Sequence, residues 1–528
     1  MWAIRGKGAL TWEDSDCEAT NRPEPEGTFS MRTSSHTLDR VRVFFDDEHL
    51  VANGGLIAPA TLAQHLGLRE LFEANVDLGD APGHANVGHK AMTVIHSILA
   101  GADSIDDCDV LRAGATAGVL GHSVAAPSTI GTFLRSFTWG HARQLDRVSA
   151  ELLVRGWAAG AGPGDGPVTI DVDSSICETY GLAKQGGTRF TYIHTRGYHP
   201  LFATMADSGD VIHSRLRGGN SHTARGAASF LAETFARART AGATGALRLR
   251  ADAGFYSRNV VEACQKADVR FSITVKLSKG LHAVISGIPE EHWTPIPYFL
   301  DHGADVAECS YRAFGNRRQA VTCRLVVRRT KPTPGSQLAL LATYSYHAFI
   351  TDEPATEPTV TAVAAPTAAQ RAATVAHDVD HRRHAVVENA IRDLKYGVGL
   401  NHLPSGRFGA NAAWLALNMM AHNMSRFTTR IGGLDSTETA APPTPATDEP
   451  APSHSTDADT ATTEPPATTP STRKSFVTTD TLRRRHLAMP GRNTRSGRQT
   501  DLHFPRHWPW ADAFAKMLTA LRSVQLAI

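Results

Sequence analysis

Residues 168–174, VTIDVDS, alternate apolar and polar side chains. The apolar residues at 168, 170 and 172 point to one face of a strand, whereas Thr169, Asp171 and Asp173 point to the other. Two carboxylates on one face of a core strand are costly unless they bind a cation or reach the edge of the sheet. The stretch therefore predicts a buried strand that brings Asp173 to a polar site, with Asp171 as the alternative. A strand end that frays into solvent is the other interpretation.

The residues after this stretch keep the two-residue period of strands. Alternating runs follow at 197–207, 209–217, 245–252 and 269–276, and helical patterns lie at 221–242 and 257–267. The resulting order is three strands, a helix, a strand, a helix and another strand. This order predicts a mixed α/β sheet layered with helices.

Two further regions flank this core. Residues 39–160 place apolar side chains at three- and four-residue spacing and predict helices, which end at the run AGAGPGDGP, residues 159–167. Residues 281–350 carry short strand-like runs and predict a β-rich insertion. The core is then divided into a first part, 167–280, and a second part, 351–432.

The two ends of the chain differ from the core in composition. We expect residues 1–38 to be poorly ordered. Residues 433–472 are almost entirely Pro, Thr, Ala, Ser and Asp, which predicts a disordered linker. Residues 473–528 predict a basic segment followed by a helix that docks on the body. Residues 473–506 contain nine Lys and Arg and two Asp. This excess of positive charge is expected either for a segment that binds along DNA phosphates or for a solvated tail.

The overall composition excludes several classes of protein. A chain of 528 residues with 41% apolar residues can form two or three packed units. No run approaches the roughly 20 uncharged apolar residues of a membrane-spanning helix, and no signal peptide is evident, so we expect a soluble cytoplasmic protein. The six cysteines are scattered without a CxxC pair, which argues against a disulfide scaffold or a zinc ribbon.

A second carboxylate, Asp252, ends a later strand. In ALRLRAD, Arg248, Arg250 and Asp252 share one face, and the strand stops at Ala253-Gly254. The carboxyl end of a strand followed by glycine is a common ligand site in α/β sheets. An ordinary turn that begins with Asp is the competing interpretation.

The third carboxylate, Glu388, lies on a strongly patterned helix, HRRHAVVENAIRDLK. At about 100° per residue, five polar side chains fall within an arc of about 80°. They are His381, His384, Glu388, Arg392 and Lys395. A solvated face with pairs such as Glu388–Arg392 would look the same. The mixture of acid, histidine and base instead favours a surface that binds metal and phosphate.

Together, the three carboxylates predict phosphodiester chemistry. An Asp on the first strand, an Asp on a later strand and a Glu on a following helix can hold two divalent cations about 4 Å apart. Oxygen ligands suit Mg²⁺ or Mn²⁺. We therefore predict that Asp173, Asp252 and Glu388 are the catalytic and metal-binding residues.

At these residues the sequence resembles the DDE transposases of bacterial insertion sequences, specifically the insertion sequence 1380 group. The matching stretches are DVDSSICETYGLAKQG, RGYHPLFATMADSGDVIHSRLRGGN, LRADAGFY and HRRHAVVENAIRDLKYGVGLNHLPS. The resemblance runs from about Asp39 to Gly432. It implies an RNase H-like core interrupted by the β-rich insertion, and a helical N-terminal region that binds DNA.

The resemblance also implies an activity and partners. The expected reaction is cleavage at the ends of a mobile element followed by transfer of the freed 3′-hydroxyl into target DNA. The partners would be the terminal inverted repeats and the target, bound by a dimer. Lys395 matches a phosphate-contacting lysine of the family, whereas His381 and His384 stand where the family usually has a tyrosine and an arginine.

Other residues and functions remain open at this point. Arg392 on the same helix and Arg215 and Arg217 beside the GGN turn are further candidates for DNA contact, although all three could face solvent. Trp293 could stack on an extruded base or belong to the core. A metal-dependent nuclease without strand transfer and an inactive DNA-binding relic are the alternative functions.

Overall fold

A large mixed sheet organises the part of the chain that the structure describes. The structure, a computed structural model, covers residues 41–81, 83–187, 189–297, 303–315, 320–331, 344–354, 365–435 and 476–525. The segments predicted to lack order, 1–38 and 433–472, lie outside the described residues except for 433–435. Residues 41–46 belong to a small unit that shows no helix or strand in its described part, and the rest of the chain forms a second unit.

Within the described residues, six α-helices precede the main sheet, in agreement with the apolar spacing. After a two-residue strand, β1 (Leu50–Val51), the helices are α1 (Ile57–His65), α2 (Leu68–Asn75), α3 (Val87–Ala100), α4 (Thr116–Leu120), α5 (Pro127–Arg135) and α6 (Trp139–Gly156). A π-helical turn at Trp157–Ala161 follows α6, and the chain leaves it in an extended conformation before the first long strand.

The core elements follow in the predicted order. They are β2 (Val168–Ser174), β3 (Cys177–Glu178), β4 (Gly197–Tyr198), β5 (Leu201–Met205), β6 (Val211–Arg215), α7 (Ala227–Thr240), β7 (Leu247–Ala251), α8 (Arg258–Lys266) and β8 (Val269–Val275). The short strands β3 and β4 pair with each other outside the main sheet, whereas the other strands of this region enter it. The prediction of a mixed α/β fold is confirmed.

The β-rich segment 281–350 joins the same sheet. A helix, α9 (Lys279–Ser286), leads to β9 (Thr294–Ile296), β10 (Ala304–Ala313), β11 (Val321–Thr330) and β12 (Ser345–Thr351). The strand order is β6-β5-β2-β7-β8-β12-β11-β10-β9, and β12 pairs antiparallel with β8. These strands therefore extend the core sheet, which the alternation of apolar residues could not show because it does not identify a strand's neighbours.

The register between β2 and β7 places two of the predicted carboxylates side by side. The strands are parallel, with Asp171 opposite Arg250 and Val172 opposite Ala251. The next residues in this register are Asp173 and Asp252, at the carboxyl ends of neighbouring strands. Neighbouring strands lie about 4.8 Å apart, so the two Asp side chains start from adjacent positions on one face.

The predicted Glu helix is interrupted. A capping box between Thr367 and Gln370 starts α10 (Ala368–Arg382), a 3₁₀ turn spans Arg383–Val386, and α11 (Val387–Arg392) carries Glu388 before a π-helical turn at Asp393–Gly397. The prediction of one regular helix is therefore wrong. A 3₁₀ turn advances by about 120° per residue instead of 100°, so the arc computed for a regular helix does not hold across residues 383–386.

A buried helix, α12 (Phe408–Ile431), links the sheet to the N-terminal helices, since it contacts β6, α3 and α6. The C-terminal part adds α13 (Thr479–Leu482), the hairpin β13 (Gly491–Ser496) and β14 (Gln499–His503), and α14 (Ala511–Arg522). β13 also pairs with β1, and α14 packs on α1 and α12. No described helix is long and apolar enough to span a membrane.

We predict that Gly156→Ala destabilises the protein, because α6 and α12 meet at this glycine. A Cβ at Gly156 would lie 2.2 Å from Cε2 of the buried Phe427 ring. Overpacking of this kind costs about 1–3 kcal/mol of unfolding free energy, measurable by urea denaturation. Gly140→Ala on the same helix is the control, since its Cβ would meet nothing closer than 3.9 Å. Equal stability of the two variants would contradict this packing.

Candidate active site

Polar side chains of β2, of β7 and of the helical segment that carries Asp380, His384 and Glu388 form three successive rows. Each row holds side chains at one level along the two strands. In the first row, Nη1 of Arg248 lies 3.5 Å from a carboxylate oxygen of Asp380. In the second row, Arg250 donates to both carboxylate oxygens of the fully buried Asp171, at 2.7 and 2.8 Å. Nδ1 of His384 donates to the same carboxylate at 3.1 Å. In both rows the named carboxylate pairs with an arginine.

The third row holds Asp173, Asp252 and Glu388. Asp173 and Asp252 each lie two residues beyond a member of the second row on the same strand face, and Glu388 lies one helical turn beyond His384. Within the described residues, none of the three carboxylates forms an ion pair with a Lys, Arg or His nitrogen within 4.0 Å. The third row thus gathers negative charge without a base to balance it, as a cation site requires.

The pKa of Asp173 is raised to about 6, chiefly by burial. The carboxylates of Asp252 and Glu388 also raise this pKa, whereas the Ser174 N–H and His384 lower it. Asp252 and Glu388 thus both act electrostatically on Asp173. A bound divalent cation would favour the ionised form, so metal binding and deprotonation of Asp173 should be coupled.

We predict that Asp173→Asn stabilises the metal-free protein above pH 6. Between pH 3.8 and about 6 the folded Asp173 binds more protons than the unfolded one, so wild-type stability falls as pH rises through this window. The amide removes this loss, by at most about 3 kcal/mol. Urea unfolding in EDTA from pH 4 to pH 8 measures it, with the exposed Asp80→Asn as control. A variant no more stable than wild type at pH 7.5 would refute the shift.

The three carboxylates of the third row do not offer ligand atoms that all lie within 4.8 Å of one another. Among the described residues, the group of three potential ligands that lies within 4.8 Å is Asp146, His213 and Glu233. Its carboxylates already pair with Arg237 and, at 2.9 Å, with Arg215, so it carries its own counter-charges. Two ions about 4 Å apart with ligands at about 2.1 Å span up to about 8 Å, so third-row oxygens need not approach within 4.8 Å.

Two residues of the predicted site, Asp171 and His381, are buried and form hydrogen bonds within the protein. Asp171, the alternative to Asp173, is saturated by Arg250 and His384. His381 is buried, with its ring nitrogens 2.6 and 2.9 Å from the hydroxyls of Ser272 and Thr274 on β8. The structure therefore does not place Asp171 among the open carboxylates or His381 on a surface that DNA could reach, because the broken helix turns His381 onto the sheet.

The predicted DNA-contacting arginines and lysine are placed unevenly. Arg217 is buried and donates to the carbonyls of His199, His222, Thr223 and Arg225, so it shapes the 218–226 loop. Arg215 pairs with Glu233. Arg392 is exposed, and Lys395 is partly exposed near Cys177, whose pKa it lowers against the dominant effect of burial.

Trp293, the predicted alternative for base stacking, is buried. The guanidinium of Arg329 lies 4.2 Å from the centre of its ring. The structure therefore places Trp293 in the core, without a face open to a DNA base.

Residues beside the third row escaped the sequence prediction. Nδ1 of the buried His199 donates to the Ser221 carbonyl at 2.8 Å, so its neutral ring accepts at Nε2 from the Ser174 hydroxyl at 2.9 Å. The Ser174 N–H in turn donates to Asp173 at 2.6 Å. His199 thus helps to hold Asp173. The only available signal was the match of Ser174 and His199 to the quoted family stretches, which assigned them no role.

Most of the chain matches a known protein family. Residues 33–441 match the family described as Transposase DDE domain group 1. No curated protein sequence matches the chain. Among solved structures, a piggyBac transposase synaptic complex with hairpin DNA, determined by cryo-EM, matches with a TM-score of 0.38 and 11% identity over 74% of this chain and 78% of that one.

Proposed function

Because this chain belongs to the family of transposase DDE domains, group 1, we propose that it cuts DNA at the ends of a mobile element and joins those ends to target DNA. The four stretches quoted above support a place in the insertion sequence 1380 group. The observation that carries the proposal is the third row, three converging carboxylates without a balancing base beside two rows that are balanced.

We assign the three carboxylates to two Mg²⁺ or Mn²⁺ ions. The donor set fits these cations, since it consists of carboxylate oxygens at the carboxyl ends of β2 and β7 and on the helix. Asp252 and Glu388 are exposed, and Asp173 is partly exposed. When bound, the ions would activate the attacking oxygen and stabilise the leaving one. The chain's own contribution is to hold Asp173 and Asp252 on adjacent strands and to bring Glu388 over them from the helix.

The strand arrangement supports an RNase H-like core. Numbered in chain order, the first five strands of the main sheet lie in the order 3-2-1-4-5, with the second antiparallel to its neighbours. The carboxylates on strands 1 and 4 are then neighbours. Along the sequence, strands β9 to β12 lie between the fifth core strand and the helix that carries Glu388, where the family insertion is expected.

DNA binding requires basic residues near the third row. Arg392 and Lys395 follow Glu388 on the same helical segment and are at least partly exposed, so we propose that they contact phosphates near the cut. The helices α1 to α6 are the proposed region for recognition of the terminal repeats. A dimer is the simplest assembly that holds two ends together.

The test is incubation of the purified protein with labelled DNA from the flanks of its own gene, with and without Mn²⁺. We expect Mn²⁺-dependent cleavage at the inverted repeats and joining of pre-cleaved ends to a plasmid. Cleavage without joining would identify a nuclease instead. Binding without any cleavage would identify an inactive relic, and neither binding nor cleavage would refute the proposal altogether.

A further inference from the structure

The segment between β3 and β4, residues 179–196, turns large apolar side chains toward solvent. Tyr180, Tyr192 and Phe190 are 84%, 72% and 57% exposed, and Leu182 and Ile193 are exposed as well. Several large apolar side chains exposed within one short segment are a feature of binding surfaces.

The tip of this segment is ordered by its own backbone. Phe190 and Arg196 face each other in an antiparallel bridge, and the Thr191 N–H donates to the Thr195 carbonyl at 2.8 Å. The turn between them holds His194 at a φ of +62°, a conformation uncommon for residues other than glycine. Residues 190–196, the tip hairpin, thus present Tyr192 and Ile193 on a defined backbone.

The charges of the segment indicate the class of its partner. Arg189 and Arg196 lie in it, together with Lys184, whose ammonium donates to the Leu403 carbonyl, and no Asp or Glu occurs between Glu178 and Asp207. The guanidinium of Arg196 lies 5.0 Å from the centre of the Phe190 ring. Cations beside open aromatic faces suit nucleic acid, because phosphates attract the cations while the bases stack on the rings.

The tip hairpin adjoins the third row. The ring of Tyr192 lies 5.7 Å from the ring of His199, measured between centroids. His199 accepts the Ser174 hydroxyl, and the Ser174 N–H binds Asp173. Three contacts, through His199 and Ser174, therefore connect the exposed tyrosine to a proposed metal ligand, so DNA with a phosphate at the third row would bring its adjacent bases to Tyr192.

We propose that the tip hairpin binds a base that has left the duplex beside the cut phosphate, and that Tyr192 stacks on it. This inference rests on the proposed function, since it takes the DNA at the third row as the ligand. Tyr192 acts as a binding residue that fixes the position of the phosphate, because stacking of a base on an aromatic ring needs no particular base identity.

Two substitutions separate stacking from other roles of Tyr192. Tyr192→Leu keeps an apolar side chain but removes the aromatic face, whereas Tyr192→Phe keeps the face and removes the hydroxyl. On an Asp252→Asn background, which should leave the DNA uncut, we expect Tyr192→Leu to weaken binding of the double-stranded element end by about 5- to 150-fold. Tyr192→Phe should bind within twofold of its parent.

A fluorescent base reports the unstacking directly. With 2-aminopurine placed in turn at each position flanking the cleaved phosphate, the parent and Tyr192→Phe should raise the fluorescence severalfold at one position, and Tyr192→Leu should not. Unchanged affinity of Tyr192→Leu, or equal losses in both variants, would overturn the proposal. So would loss of self-association in Tyr192→Leu with unchanged DNA affinity, which would reveal a contact between copies.

Failure of the proposed function and failure of the stacking proposal would give different results. If wild-type protein does not cut its own element ends, the proposed function fails. If it cuts them and Tyr192→Leu cuts them equally well, the function stands and only the stacking role of Tyr192 is lost. Thermal melting of each variant should match its parent, because Tyr192 is largely exposed.

Discussion

Asp252→Asn should abolish Mn²⁺-dependent cleavage of the element end, and Asp173→Asn and Glu388→Gln should do the same. Each substitution keeps the size of the side chain but removes one negative charge from the third row. Under the proposed function, loss of the several kcal/mol that the ions would supply lowers the rate by about a thousand-fold or more. Single-turnover cleavage of a labelled end measures the rate, and gel-shift affinity measures binding, which should change by only a few-fold.

Glu233→Gln is the matched control for these variants. It removes a carboxylate from the Asp146–His213–Glu233 group, the other cluster of potential ligands within the described residues. We expect it to leave the cleavage rate within a few-fold of wild type. If Glu233→Gln were inactive while Asp252→Asn remained active, the metal centre would be assigned to the wrong cluster.

Arg250→Met should lower the free energy of unfolding by about 3–5 kcal/mol. Its guanidinium donates to both carboxylate oxygens of the fully buried Asp171 and also to the Asp380 carbonyl at 2.8 Å. Methionine has a similar length but no charge, so the variant leaves the Asp171 carboxylate buried with only His384. Urea denaturation at pH 7 measures the effect.

The neighbouring strand supplies the control for Arg250→Met. Arg270 on β8 is half-exposed and lies 3.9 Å from Asp352, so Arg270→Met should cost less than about 1 kcal/mol. The double variant Asp171→Leu/Arg250→Met removes both charges and should recover part of the lost stability. A loss below about 1 kcal/mol for Arg250→Met would show that the ion pair between Arg250 and Asp171 contributes little to the stability of the protein.

The sequence predicted the strand elements well because alternation is a local property. It placed Asp171 with Asp173 on one strand face and Arg250 with Asp252 on another. What it lacked was the register between β2 and β7, which pairs Asp171 with Arg250 and so separates a structural carboxylate from the open ones. Register depends on contacts between distant residues, which a local pattern does not contain.

The helix and the loop were harder to predict for different reasons. His381 shares a polar arc with Glu388 only if the helix is regular, and the 3₁₀ turn at Arg383–Val386 breaks that assumption. Tyr180 and Tyr192 escaped notice because an aromatic residue in a sequence is ordinarily expected in the core. Their exposure, and the approach of Tyr192 to His199, became visible only in three dimensions.

The most direct test of the metal assignment is the position of Mn²⁺ in crystals of the protein bound to a pre-cleaved element end, located by anomalous scattering. We expect two peaks about 4 Å apart, with carboxylate oxygens of Asp173, Asp252 and Glu388 at about 2.1–2.3 Å. A peak confined to Asp146, His213 and Glu233, with none at the third row, would contradict the account.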